Sequence, residues 1–162
     1  NYACQYGAGI PTIARSASVD METAERLYKG YWRLNWSVKR IAEECITKTF
    51  GKYKWLYNPV NGFWYYLKKD KDRFSTLCQG TGTYVFDRWL DIINDICLER
   101  YKREMPLMGQ WHDEGLWRTK LQKREIWQRI ITAANERLNN SLNMNREFAS
   151  EPEFGPNYSE VH

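Results

Sequence analysis

The segment KYKWLYNPVNGFWYYLKK, residues 52–69, does most to limit the fold. Aromatic, β-prone residues lie on both sides of Asn58-Pro59-Val60-Asn61-Gly62, and that loop reads as the turn of a β-hairpin. Its flanks have helical spacing instead. Residues 18–50 place Val19, Ala24, Leu27, Tyr31, Leu34, Val38, Ile41 and Cys45 on one stripe, with Ser18 and Asp20 as possible N-caps and a bend possible near Asn35. Residues 73–103 return to the same period through Leu77, Tyr84, Val85, Trp89, Ile92, Ile93, Ile96 and Leu98, ending at Met105 or Pro106.

From Leu107 to Trp117 the pattern becomes two short apolar stretches around His112-Asp113-Glu114, a second hairpin if the triplet is its tip. Residues 119–142 are helical again, and the Pro- and Gly-punctuated tail EPEFGPNYSEVH is expected to lie extended over the surface. The expected class is therefore α+β, mostly helical with two β-hairpins. At 162 residues, 43% hydrophobic and 15% aromatic, the chain can bury a core.

Several classes are disfavoured. No stretch approaches the roughly 20 apolar residues of a membrane span, and NYACQYGAG is not a signal peptide. Cys4, Cys45, Cys78 and Cys97 lack CxxC spacing, which favours reduced core thiols in a cytoplasmic protein over zinc. The chain lacks an initiator Met, so it is expected to start inside a longer gene product. The net charge is +4, but between Lys29 and Arg73 basic residues far outnumber acidic ones and are interleaved with Tyr and Trp. That suits a polyanion, or a solvated face whose lysine stems cover apolar surface.

The triplet can be read chemically. Asp113 and Glu114 at a tight turn could bind a hard cation without burying an unpaired charge, and magnesium is the natural candidate because it keeps waters and shares substrate phosphates. A two-metal phosphoryl-transfer site needs a second aspartate, and no other Asp of this chain is comparably placed. On the triplet alone, a polar turn without metal remains open.

Four stretches in order resemble the carboxyl-terminal part of DNA polymerase I family (family A) enzymes, especially the phage replicative branch. They are NYACQYGAG (1–9), FSTLCQGTGTYVFDRW (74–89), WHDEGLW (111–117) and GPNYSEVH (155–162), so the resemblance spans essentially the whole chain. It implies a right-hand polymerase, with residues 1–50 as fingers helices and 51–162 as a palm portion. The implied activity is template-directed addition of deoxynucleotides to a primer 3' end, in replication, using two Mg2+ ions shared with an upstream aspartate.

Site residues follow from the same resemblance. Asp113 corresponds to the palm aspartate that holds metal, and Glu114 to its less critical neighbour. His112 resembles the histidine near the primer terminus, and Gln79 the glutamine that reaches a minor-groove acceptor. Tyr2 occupies the position against the sugar of the incoming nucleotide, where Tyr is associated with poor discrimination against dideoxynucleotides. Tyr6 resembles the aromatic near the templating base, and Gly7 permits close approach of backbone to base. Lys71 falls near a primer-strand contact, and the His162 carboxylate or imidazole is expected near the active site. Simpler readings stay open: Tyr2 and Tyr6 as core aromatics, Gln79-Gly80 as a close packing point, His112 as a structural histidine.

The departures matter too. Ala3 stands where the family usually has Gly, and Ser75 where many members have Asn. The family's phosphate-binding fingers lysine would lie three residues before Asn1. The implied partners are primer-template DNA, deoxynucleoside triphosphates, an upstream polymerase portion in the same chain or a separate subunit, and a possible processivity factor. The fragment alone is expected to be inactive. Two other readings are a single-subunit RNA polymerase, disfavoured by Glu114 where that family carries Ser, and a non-enzymatic nucleic-acid-binding domain.

Overall fold

The computed structural model describes residues 2–102, 106–142 and 146–161, with the side chains of Tyr2, Ala3 and Leu121 outside the description. Two short helices lead: α1, Tyr2–Gln5, and α2, Ile10–Ala17, with Pro11 in its first turn, where no N–H partner is needed. Ser18 adopts the left-handed conformation, φ 53°, and ends α2, so it caps the preceding helix instead of opening the next. Asp20 does the opening. Its carboxylate accepts from the Thr23 N–H at 2.7 Å and the Thr23 hydroxyl at 2.9 Å, and these bonds hold its pKa below the usual range.

Helix α3, Met21–Leu34, breaks at Asn35, whose side-chain amide donates to the Tyr31 carbonyl at 2.9 Å. Helix α4, Trp36–Glu44, follows. The expected continuation to Phe50 fails, because Thr47, Thr49 and Phe50 favour an extended backbone and pair with a neighbouring strand. The stripe is also not a continuous core. Ala24 is fully buried, whereas Leu27, Leu34 and Ile41 are exposed and α4 buries no residue.

The first hairpin is part of a three-stranded antiparallel sheet: β1, Thr47–Phe50, β2, Tyr53–Asn58, and β3, Phe63–Tyr66, in that spatial order. The turn lies at 59–62 as expected. Pairing of Leu56 with Thr47 and Tyr65, and of Asn58 with Phe63, puts these residues on one face. That face meets α5, the 29-residue helix Arg73–Tyr101. Asn58, fully buried, accepts from the Val60 N–H and donates to the Thr81 hydroxyl, both at 3.0 Å, so it closes the turn and ties it to the helix. The Tyr65 ring lies against Gly80.

Two compact units divide within α5, Asn1–Gly82 and Thr83–His162. In the second, α5 continues to Tyr101, followed by β4, Leu107–Trp111, paired antiparallel with β5, Glu114–Trp117, and then α6, Arg124–Ser141. Its core joins Ile92, Ile93, Ile96 and Cys97 of α5 to Trp127, Ile130, Ile131, Ala134 and Leu138 of α6. The first unit has a smaller core around Cys4, Ile13 and Ala24. Cys4 and Cys97 are the core thiols; Cys45 is half-buried and Cys78 exposed, contrary to four core positions. Among the described residues no helix is long and apolar enough to cross a membrane.

The two glycines of α5 give a test. An alanine Cβ at Gly80 would lie 2.7 Å from Tyr65 Cζ, whereas one at Gly82 would meet nothing within 4 Å. Helix propensity favours Ala over Gly by about 1 kcal/mol, but overpacking costs about 1–3 kcal/mol. Gly82→Ala should therefore raise stability and Gly80→Ala lower it, read as opposite shifts of the urea midpoint. Equal stabilisation by both would refute the Tyr65 packing.

Candidate functional site

The triplet is the tip of a hairpin, as its sequence implies. Trp111 and Glu114 are the last paired residues, leaving His112 and Asp113 as the two-residue turn. Both turn side chains are exposed. His112 has φ 49°, in the left-handed region, which costs a non-glycine residue about 1–2 kcal/mol and is visited more by His than by most.

What holds this turn is the packing behind it. Trp117 of β5 packs its ring 6.0 Å from Trp89 of α5 and 5.3 Å from Trp127 of α6. The indole lies over Gly115, where a Cβ would come within 2.6 Å of it. Trp111 covers Gly109 in the same way, with ring atoms 2.1 Å from any Cβ there. Gln110 adds a 3.4 Å hydrogen bond to Asp87 of α5. Glycine-tryptophan pairs two residues apart therefore seat each strand, and Asp113 projects from a braced support.

The C-terminal tail reaches the same hairpin. Asn139 of α6 holds both backbone groups of Phe148, accepting from its N–H at 2.7 Å and donating to its carbonyl at 2.8 Å. One turn earlier, Asn135 donates to the Ser150 carbonyl at 3.0 Å, while its oxygen accepts from the Ser150 hydroxyl at 2.8 Å and Trp89 Nε1 at 2.9 Å. Arg124 lies over the Phe154 ring and donates to its carbonyl. The tail thus runs back along α6 and brings Tyr158 to 5.4 Å from the Trp111 ring. Desolvation raises the Tyr158 phenol pKa, and the Glu114 carboxylate raises it further. A cavity of about 370 Å³ lies between hairpin and tail, its walls including Asp113, Glu114, Trp117, Glu151, Glu153 and Phe154.

In the first unit Gly7 and Lys71 are brought together. Gly7 turns the chain after α1 at φ 75°, and a Cβ there would lie 3.4 Å from Lys71 Cβ. Tyr6 and Lys71 are exposed, and so is Gln79 on α5. Because Gly80 and Thr81 meet the sheet while Gln79 faces solvent, the Gln79-Gly80 pair combines a packing point with an available amide. The Tyr2 side chain and His162 lie outside the described residues.

The donor set bears on a metal. Among the described residues no three His, Cys, Asp or Glu side chains converge on one point. Asp113 offers one exposed carboxylate, with Glu114 next to it. This fits a hard cation that keeps waters and shares a bound phosphate, and does not fit a closed site made by the chain alone. Sequence reading missed Asn135, Asn139 and Tyr158. The available signal was two asparagines four residues apart inside a helix, where Asn is a poor former.

No protein-family model matches the sequence, and no curated protein does. A solved structure does match: the POL domain of Pol1 from M. smegmatis, in complex with DNA primer-template and dNTP. The TM-score is 0.61 at 14% identity, covering 86% of this chain and 26% of that one. The chain therefore has a fold similar to part of a DNA polymerase domain.

The tail clamp predicts a measurable loss. Asn135→Ala removes the acceptor of Trp89 Nε1 and both bonds to Ser150, and should cost about 1–3 kcal/mol in chemical denaturation while speeding proteolysis of the tail. Asn140→Ala, exposed on the same helix, should stay within about 0.5 kcal/mol. Identical behaviour of the two variants would refute the clamp.

Proposed function

We propose that this chain is the fingers-to-palm part of a DNA-directed DNA polymerase that extends a primer 3' end, with residues 1–50 contributing fingers helices and 51–162 the palm portion. The observation that carries this reading is Asp113, an exposed carboxylate on a braced two-residue turn, in a chain whose fold is similar to part of a polymerase domain. The order of the four motif stretches supports it. Glu114, where a single-subunit RNA polymerase would carry Ser, favours deoxynucleotide over ribonucleotide addition.

In the proposed reaction the primer 3'-hydroxyl forms a bond to the α-phosphorus of the incoming nucleotide, and pyrophosphate leaves. Asp113, with a second aspartate from the rest of the polymerase, would hold Mg2+, and Glu114 would orient the site. Magnesium, when bound, would neutralise charge developing on the phosphate oxygens. His112 would contact the backbone near the primer terminus. Gln79 would donate to a minor-groove acceptor that every correct base pair offers. Tyr2 would lie against the sugar, Tyr6 and Gly7 near the templating base, Lys71 along the primer strand, and His162 near the reacting groups. The remaining polymerase portion, in the same chain or a separate subunit, and a processivity factor are the proposed protein partners.

Two outcomes are expected in a polymerase that combines this chain with the second aspartate. Asp113→Ala should lower primer extension by about a hundred- to a thousandfold, the scale of losing a key transition-state group, while primer-template affinity changes little. Near-full extension would overturn the assignment. Tyr2→Phe should raise discrimination against dideoxynucleotides, and unchanged incorporation ratios would remove Tyr2 from the sugar.

A further inference from the structure

We propose that the face of the β1–β3 sheet turned away from α5 is a stacking platform for single-stranded nucleic acid. Strand register places Phe50, Tyr53, Trp55, Tyr57, Trp64 and Tyr66 together on that face. The rings already touch edge-on or tilted: Tyr66 is 5.9 Å from both Tyr53 and Trp55, and Tyr57 is 5.2 Å from Trp64. Such a cluster inside a core would be covered. Here Phe50 is 75% exposed, Tyr66 52% and Trp64 44%. The opposite face is occupied by α5 through Asn58 and Tyr65, so among the described residues of its own unit this aromatic surface is the sheet's free side.

Charge selects the occupant. Lys48 pairs with Trp55 on the same face, and Lys52 Nζ lies 5.4 Å over the Tyr53 ring. Residues 45–69 also contain Lys68 and Lys69 but no Asp or Glu, whereas Lys54 lies on the α5-facing side and pairs with Asp70. An apolar protein partner would bury unpaired ammonium groups, and a second copy would set lysines against lysines. A polyanion carrying flat, unpaired rings satisfies both the charge and the aromatic faces. Duplex hides its base faces, so the strand must be single. This inference goes beyond the polymerase reading and does not rest on it.

The test uses the whole 162-residue chain. Fluorescence anisotropy with labelled oligo(dT), oligo(rU) and a duplex, each about 20 units long to exceed the roughly 4–16 nucleotides of a stacking groove, compares the three. Tighter binding of a single strand than of duplex is expected, without a magnesium requirement; the tighter of dT and rU identifies the strand as DNA or RNA. Trp64→Leu and Tyr66→Ala should each weaken it about 5- to 100-fold. Lys48→Glu should weaken it and flatten its salt dependence, a second test on an exposed, non-core position. Trp36→Ala, 58% exposed on α4, and Asp113→Ala should leave binding unchanged. The Asp113 arm separates this claim from the polymerase reading, since extension can fail while strand binding persists. Duplex binding of equal strength, unchanged affinity in the aromatic variants, or self-association abolished by those same substitutions would each overturn the platform.

Discussion

Trp117 is the constraint on which the second unit depends. Its indole lies between Trp89 and Trp127, so one side chain joins the hairpin to both long helices. Only glycine at position 115 leaves room for it. Trp89 then passes the connection on, because its Nε1 shares the Asn135 oxygen with the Ser150 hydroxyl of the tail. Hairpin, α5, α6 and tail are thus fixed by one aromatic cluster and one amide. An aromatic cluster of this kind contributes through burial and edge-to-face contacts of about 0.5–1.5 kcal/mol each, and its larger effect is geometric. It holds a two-residue turn with a left-handed histidine in place, and that turn presents Asp113.

The two units differ in the chemistry they expose. The first carries an acid-free, lysine-bearing aromatic sheet. The second gathers Asp113, Glu114, Glu151 and Glu153 around a cavity beside the hairpin. A net charge of +4 hides this division. Basic, ring-rich surface suits strand binding, and exposed carboxylates at a turn suit a hard cation, so the proposed functions draw on different parts of the chain.

Much of this was legible from residue patterns because the causes are local. Asn58 through Gly62 turns the first hairpin, and the α5 period runs from Arg73 to Tyr101 almost as its apolar spacing implies. Asp20 caps α3 for a reason visible in sequence, the Thr23 that follows it. What was not legible depended on tertiary partners. Periodicity could not say that Leu27, Leu34 and Ile41 stay exposed, since a stripe records an amphipathic helix and not what covers it. Nor could it reveal that Thr47 to Phe50 leave the helix to pair with β2, or that Asn135 and Asn139 grip the tail. At the site, the triplet pointed to a turn with carboxylates, while the Glu114–Tyr158 proximity arose from a tail too far along the chain to be inferred from spacing.

We propose that the Asp113 carboxylate holds the metal of a polymerase. The most direct measurement replaces that ligand with a softer one: Asp113→Cys in a polymerase containing this chain, assayed for primer extension in Mg2+ and then in Mn2+ or Cd2+. Extension should collapse in Mg2+, which prefers oxygen ligands, and recover in part with the thiophilic ions. Extension at the unsubstituted rate in Mg2+ would show that Asp113 is not a metal ligand.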